Sequence, residues 1–134
     1  MDDRDNSDID FEIQFYEGVL KHKSDFVMAL IALGDLYTKK GLYEQGLMVD
    51  QQLVLLRPND PVIQYNLACS YSRMQKIDEA FAAMKHAVES GYDSWDFLEK
   101  DADLANLLQD AEFQRYLARQ KKQIKCFKGI KKSV

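Results

Sequence analysis

Few residues of this chain have the type and spacing that covalent chemistry needs. The two histidines, His22 and His86, lie far apart among polar residues, which predicts solvated side chains rather than bases or metal ligands. Cys69 has no CxxC partner and no predictable base, which favours a packed thiol over a nucleophile. No glycine-rich phosphate loop or metal-ligand spacing occurs. The sequence therefore predicts a protein that is not an enzyme, with no cofactor, metal or small-molecule substrate.

A cluster of carboxylates between residues 93 and 103 could suggest a calcium loop. It lacks the alternating ligand pattern and the twelfth-position glutamate of such loops. We therefore expect these side chains to cap helices and to lie in solvated turns.

The last residues carry the strongest charge signal. All 22 acidic residues and 10 of the 18 basic residues fall within 1–114, whereas 115–134 contain only the other eight basic residues. Ile124, Phe127 and Ile130 recur there at the spacing of one helix face, which predicts a basic amphipathic helix. Such a helix suits nucleic acid, an anionic membrane surface or an acidic protein groove, and a solvated, partly disordered tail is the alternative. The candidate surface-binding residues are Lys121, Lys122, Lys125, Phe127, Lys128, Lys131 and Lys132.

Composition favours an all-helical protein of the cytoplasm. Two prolines and six glycines leave long segments free to be helical, and no alternating strand pattern stands out. The first eight residues are acidic and lack the apolar region of a signal peptide, and no apolar run approaches the length of a membrane span. Cys69 and Cys126 have no paired spacing, which favours a reducing compartment.

The elements that must position these residues repeat with a period of 34. Residues 30–37 (LIALGDLY) align with residues 64–71 (QYNLACSY), and Gly46 aligns with Ala80. Small residues at 34, 46, 68 and 80 would let two helices of one unit approach closely, with Tyr37 and Tyr71 filling the wider gap beside them. This period and pattern resemble the tetratricopeptide repeat, a helix-turn-helix unit that stacks on its neighbours.

The resemblance is to small bacterial tetratricopeptide-repeat proteins with a C-terminal capping segment. It implies an all-α fold in which antiparallel helix-turn-helix repeats stack as a short right-handed superhelix, an α-α solenoid. The chain departs from the family pattern at Leu30, Gln64, Asp50, Met84 and Tyr92. Because a buried, unpaired carboxylate is costly, we expect Asp50 to lie exposed at an edge, to pair with a base from a neighbouring helix, or to mark a place where packing slips.

The expected organisation follows the repeat register. Residues 1–8 form a disordered acidic leader, and Ser7 or Asp8 caps a helix that begins near Ile9. Residues 9–117 form the repeat domain, with a half repeat at 9–26, whole repeats at 27–60 and 61–94, and a capping segment at 95–117; residues 118–134 form the basic tail. Repeat helices are expected at about 25–40, 43–56, 61–74 and 78–90, with Asp25 as an N-cap, Pro61 in a first turn, and Gly41 and Gly91 after helix ends.

The capping segment contains DADLANLLQDAEF, which is similar to the segment that closes many bacterial proteins of this family. Its apolar residues would cover the last repeat, as solenoids require, and a ligand site made by the Trp and Phe side chains is the alternative. The residues expected in this cover are Trp95, Phe97, Leu104, Leu107, Leu108, Phe113 and Leu117.

In the family, the inner face of the first helix of each repeat lines a concave groove that binds extended peptides or helices. The spacing of three and four places one such stripe on each first helix. The implied groove residues are Met28, Ile31, Asp35, Thr38, Lys39, Val62, Tyr65, Asn66, Cys69, Ser72 and Arg73, some of which the N-terminal helix could instead cover. One branch of the family grips terminal carboxylates at positions that are Ile31 and Asp35 here. Asp35 would repel a carboxylate, which argues against that ligand class.

The leading interpretation is a non-enzymatic adaptor or scaffold that holds a peptide or helix of a partner protein in its concave groove. A second interpretation is an accessory protein that docks on nucleic acid or an anionic membrane surface through its basic tail. A third is a self-associating repeat module.

Overall fold

The computed structural model describes the backbone of residues 3–132 and the side chains of residues 6–124. Within that backbone the chain forms eight α-helices and one 3₁₀ turn, and it contains no strand. The all-α prediction is therefore confirmed. The helices are α1 (Asp3–His22), α2 (Val27–Lys40), α3 (Tyr43–Leu56), α4 (Pro61–Arg73), α5 (Ile77–Glu89), α6 (Trp95–Lys100), α7 (Ala105–Leu108) and α8 (Ala111–Lys132), with the 3₁₀ turn at Ala102–Leu104.

The first five helices pack in chain order, each against the next. Helices α2 and α3 form the first whole repeat and α4 and α5 form the second. Gly41 ends α2 in the left-handed conformation, with φ of 83°, and its N–H donates to the carbonyl of Thr38. Asp60 caps α4 by accepting from the N–H groups of Val62 and Ile63. The predicted limits of α3 match the structure, and Pro61 is the first residue of α4.

Two apolar clusters form the core. One joins α1, α2 and α3 and continues to Ile63 of α4. The other joins the second repeat to the residues that follow it. The fully buried side chains from that following segment are Leu98, Leu104, Leu107 and Phe113.

Helix starts differ from the sequence-based expectations in two places. Helix α1 begins at Asp3, so the expectation of a disordered leader is wrong over residues 3–8, and Ser7 and Asp8 lie inside the helix rather than at its cap. Residues 1 and 2 lie outside the described backbone. At the start of α2 the N-cap is Phe26, whose side chain makes no capping bond, so the assignment of Asp25 to that role is also wrong.

The segment after the second repeat packs against α4 and α5. The side-chain amide of Asn106 donates to the carbonyl of Ser72 at 2.8 Å, and the N–H of Leu107 donates to the Ser72 hydroxyl at 3.1 Å. Phe97 was expected among the covering residues, but its side chain is 62% exposed. Leu98, the next residue, is fully buried in its place. Helix α8 runs without a break across the expected boundary between residues 117 and 118.

Candidate functional site

A cavity of about 470 Å³ lies between α2, α4 and the segment that follows the second repeat. Helix α3 forms its floor. The lining residues are Ile31, Ala32, Gly34, Asp35 and Thr38 of α2, Asp50 and Leu53 of α3, Tyr65, Asn66, Cys69 and Arg73 of α4, and Phe97, Asp101 and Asp103. We call this cavity the groove.

Asp101 fixes the end of the groove next to the second repeat. It lies in extended backbone between α6 and the 3₁₀ turn, and one carboxylate oxygen accepts from the N–H of Asp103. The other oxygen accepts from the Tyr65 hydroxyl at 2.5 Å, and the Cys69 thiol lies 3.9 Å from it. The Tyr65 ring also stacks on that of Tyr92, with centroids 4.5 Å apart. These contacts hold Tyr65 against the wall, so its ring is a fixed surface of the groove rather than a mobile arm.

A polar network crosses the floor of the groove. The buried carboxylate of Asp50 accepts a hydrogen bond from Ser70, whose hydroxyl accepts in turn from the guanidinium of Arg73 at 3.0 Å. Arg73 also donates to Thr38 and forms an ion pair with Asp103, with 3.4 Å between the charged atoms. Asp50 is thus buried rather than exposed at an edge, and its hydrogen-bond partner is Ser70 of the neighbouring helix, with the Arg73 guanidinium on the far side of that hydroxyl.

The electrostatics of the groove are acidic. Burial raises the pKa of Asp50, while the Ser70 hydrogen bond and the Arg73 charge act in the opposite direction. Burial also raises the pKa of the Cys69 thiol, and the nearby Asp101 carboxylate adds to the rise. Cys69 is therefore a neutral thiol at physiological pH rather than a thiolate nucleophile. The groove contains four aspartates and only one basic side chain, Arg73.

Seven of the eleven predicted groove residues meet in this cavity, namely Ile31, Asp35, Thr38, Tyr65, Asn66, Cys69 and Arg73. Met28 and Val62 are exposed and lie outside the lining, and Lys39 pairs with Asp35 at 2.9 Å on the surface. Ser72 does not line the groove, because it is 0% exposed and its hydroxyl accepts from Leu107.

Sequence reasoning missed the contribution of Phe97, Asp101 and Asp103 to the groove. The carboxylates were expected to cap helices and to lie in solvated turns, and Asp101 does cap the 3₁₀ turn. The repeat pattern contains no signal for their second role, because they lie where the helical register is interrupted.

The basic tail forms a separate surface. A second cavity, of about 570 Å³, lies between α6 and α8 and is lined by Trp95, Asp96, Ala118, Lys121, Lys122 and Ile124. Lys121 forms an ion pair with Glu99 of α6, whereas Lys122 is exposed. The side chains of Lys125, Phe127, Lys128, Lys131 and Lys132, which complete the predicted tail surface, lie outside the described residues.

The described residues contain neither a metal-binding cluster nor a membrane-spanning helix. No cluster of three or more His, Cys, Asp or Glu side chains there is arranged to hold a metal ion. None of the described helices combines the length and the apolar character needed to cross a bilayer. His22 and His86 are both exposed.

Comparisons with known proteins agree with this architecture. Residues 62–90 match the family model described as tetratricopeptide repeat. A chloroplastic protein from Arabidopsis thaliana is 29% identical over 84 residues, which is 60% of this chain and 25% of that protein. The chain thus spans about a quarter of the length of this curated relative. The solved structure of MamA, residue 41 to the end, from Desulfovibrio magneticus RS-1 has a TM-score of 0.65 and 18% identity, covering 90% of this chain and 70% of that chain.

The matched repeat and the shared solenoid fold define the class. The chain contains a tetratricopeptide repeat in α4 and α5, and the helices before them continue its stacking. Stacked helical repeats of this kind form extended concave surfaces that are used for binding.

Proposed function

We propose that this protein is a non-enzymatic adaptor of the cytoplasm that holds a segment of a partner protein in the groove. The observation that carries the proposal is the convergence of α2, α4 and the 3₁₀ turn on one open cavity of about 470 Å³. Its walls combine apolar side chains such as Ile31 and Phe97 with polar groups such as Asn66. A peptide site needs this combination, because apolar contacts supply affinity and placed polar groups fix orientation.

The charges of the groove suggest the chemistry of the bound segment. Asp35 and Asp103 are exposed at its rim, and Asp101 and Asp50 lie deeper. Arg73 pairs with Asp103 and Lys39 pairs with Asp35, so the acidity that remains for a ligand comes from Asp50 and Asp101. A segment with a lysine or arginine beside an apolar residue would complement the groove, whereas a terminal carboxylate would be repelled.

The test uses display of short random peptides against the full-length protein. We expect the selected peptides to be enriched in lysine or arginine next to leucine, isoleucine or an aromatic residue. The groove variant combines Ile31→Ser, Asn66→Ala and Phe97→Ser, three exposed positions whose change removes no core side chain. It should lose binding of the selected peptides by at least about tenfold, as expected when central contacts are removed.

A matched control makes the same kind of substitution outside the groove. Met48→Ser and Leu55→Ser alter exposed apolar residues of α3 that do not line the cavity. Unchanged peptide binding by this control is expected. Equal loss in the control and the groove variant, or selection of acidic peptides, would contradict the proposal.

A further inference from the structure

The outer face of α1 presents apolar side chains to solvent. Phe11 is 71% exposed and Phe15 is 58% exposed, and their spacing of four places them side by side on the helix. Asp8 and Glu12 are also exposed and follow the same spacing, so a row of carboxylates lies along one side of the two aromatic rings. We call these four residues the open face.

The repeat geometry indicates what kind of element fits the open face. Phe15 corresponds to Val49, 34 residues later, which is only 8% exposed. Val49 is covered by the first helix of its own repeat, since a Cβ atom built on Gly34 of α2 would lie 3.4 Å from Val49 Cγ1. The equivalent position beside Phe15 is not filled by any residue that the structure describes. The open face therefore has the geometry of a surface for a helix.

The opposite end of the molecule provides a helix of complementary character. In α8 the buried residues Phe113, Tyr116 and Leu117 anchor the first turns, and the helix continues for about 20 Å beyond them, to Lys132. Every Asp, Glu, Lys or Arg position in 118–132 is a Lys or an Arg. Ile124 and Phe127 recur there at helical spacing, as Phe11 and Phe15 do in α1. We call residues 118–132 the basic helix.

Charge favours contact between these two regions. Helix α1 contains six acidic residues, Asp3, Asp5, Asp8, Asp10, Glu12 and Glu17, against Arg4 and Lys21. Helix α1 packs on α2 and α8 packs on α7, so the open face and the basic helix belong to opposite ends of the packed series.

We propose that the basic helix of one copy docks on the open face of a second copy and extends the solenoid head to tail. The contact buries the Phe11 and Phe15 rings under an amphipathic helix, and the flanking carboxylates pair with lysines. Because the two surfaces differ, each dimer retains one unused open face and one unused basic helix. The association is therefore heterologous and continues beyond the dimer.

Sedimentation velocity of the full-length protein over a range of concentrations tests this directly. We expect the mass to rise with concentration at about 50 mM salt without stopping at the dimer, and to fall at about 200 mM salt as the ion pairs are screened. Variant one, Phe11→Ser with Phe15→Ser, removes the apolar part of the open face. Variant two, Lys122→Glu with Lys125→Glu and Lys128→Glu, reverses charge on the basic helix and leaves the Lys121–Glu99 pair intact. Each should weaken association by at least about tenfold.

Mixing the two variants gives the decisive result. The first retains a functional basic helix and the second retains a functional open face, so together they should form a discrete one-to-one dimer and nothing larger. The variant Met48→Ser with Leu55→Ser serves as the control and should associate like the wild type. A wild type that stays monomeric at low salt, including one whose basic helix binds duplex DNA or anionic vesicles instead, would overturn the proposal. Association that survives in either variant, or that is lost equally in the control, would also overturn it.

Discussion

The two whole repeats differ most at a single inward position, which is Asp50 in the first and Met84 in the second. Both side chains are buried: Asp50 accepts from Ser70 of the helix that follows its repeat, and Met84 belongs to the apolar cluster that includes Leu104 and Leu107. Ser70, the partner of Asp50, corresponds to Leu104 one repeat of 34 residues later, and Arg73 corresponds in the same way to Leu107. Each inward residue therefore has partners of its own polarity. A solenoid repeat can exchange an apolar contact for a polar one if the next helix changes with it.

This difference also explains why the groove lies where it does. The Asp50–Ser70–Arg73 network reaches the floor of the groove and brings a guanidinium next to Asp103. The corresponding region beyond the second repeat is filled by Leu104 and Leu107, both fully buried. The first junction between repeats is therefore a polar, accessible surface and the second is closed.

The largest expected effect comes from placing the polar residue in the apolar junction. Met84→Asp would bury a carboxylate in the apolar cluster that includes Leu104 and Leu107, and we expect the free energy of unfolding to fall by about 4 kcal/mol or more. Chemical denaturation measures the change. Met84→Leu, the control, should cost less than about 1.5 kcal/mol because it conserves volume and polarity.

A triple variant that carries the polar residues of the first junction into the second extends that experiment. Adding Leu104→Ser and Leu107→Arg to Met84→Asp supplies the donors that Asp50 has in the first junction. If polarity matching governs the two junctions, the triple variant should be more stable than Met84→Asp alone. A triple variant that is less stable would show that the network depends on more than these three positions.

The repeat pattern predicted the fold because stacking helices impose a period on the chain. The limits of α3, the stop at Gly41 and the contacts at positions 34, 46, 68 and 80 follow from local spacing. The same logic failed where the register is interrupted. Asp101 lies in extended backbone, so no helical period predicts that its carboxylate meets Tyr65 or that Phe97 lies at the groove rather than in the core.

The sequence also could not identify which side chains on different helices would be hydrogen-bond partners. The sequence raised three possibilities for Asp50, and only the packed structure pairs it with Ser70. Ser72 belongs to the predicted stripe by spacing. It is instead hydrogen-bonded to Asn106 and Leu107 of the segment that follows the second repeat. Spacing assigns a residue to a face of its own helix, but the neighbouring elements decide whether that face is open.

The helix crossings provide the next test of the comparison. The first repeat crosses at Gly34 and Gly46, the repeat register assigns Ala68 and Ala80 to the crossing of the second, and all four are buried. Ala80→Leu should lower the free energy of unfolding by roughly 1–3 kcal/mol, because overpacking forces the two helices apart. Gly34→Leu should cost a similar amount. Thermal melts that match the wild type for both variants would mean that the helices do not cross at these positions.

A smaller effect is expected in the pH dependence of stability, because the first junction contains the ionisable Asp50 and the second has Met84 at that position. Burial raises the pKa of Asp50 above its ordinary value of 3.8, so the folded state holds this proton more tightly than the unfolded state. Its contribution is therefore fully present below pH 3.8 and is lost as the pH rises through the raised pKa. The wild type should lose stability relative to Asp50→Asn over that interval. Denaturation of both proteins across acidic to neutral pH measures the difference, and parallel curves would contradict the assignment.

The smallest effect is expected from Gly34→Ala, which gives the first repeat the residue that the second repeat has at the equivalent position, Ala68. A Cβ atom at Gly34 would lie 3.4 Å from Val49 Cγ1 and from one carboxylate oxygen of Asp50, so a methyl group fits without displacing a backbone. Alanine is favoured over glycine inside a helix by about 0.8–1.0 kcal/mol, and the close contact with Asp50 should consume part of that gain. We therefore expect Gly34→Ala to raise the free energy of unfolding by less than about 1 kcal/mol. The double variant with Asp50→Ala tests the reason, since the full helix-propensity gain, measured relative to Asp50→Ala alone, should return once the contacting carboxylate is removed. If Gly34→Ala is destabilising in both backgrounds, the first crossing is closer than the second, and glycine is required there for space.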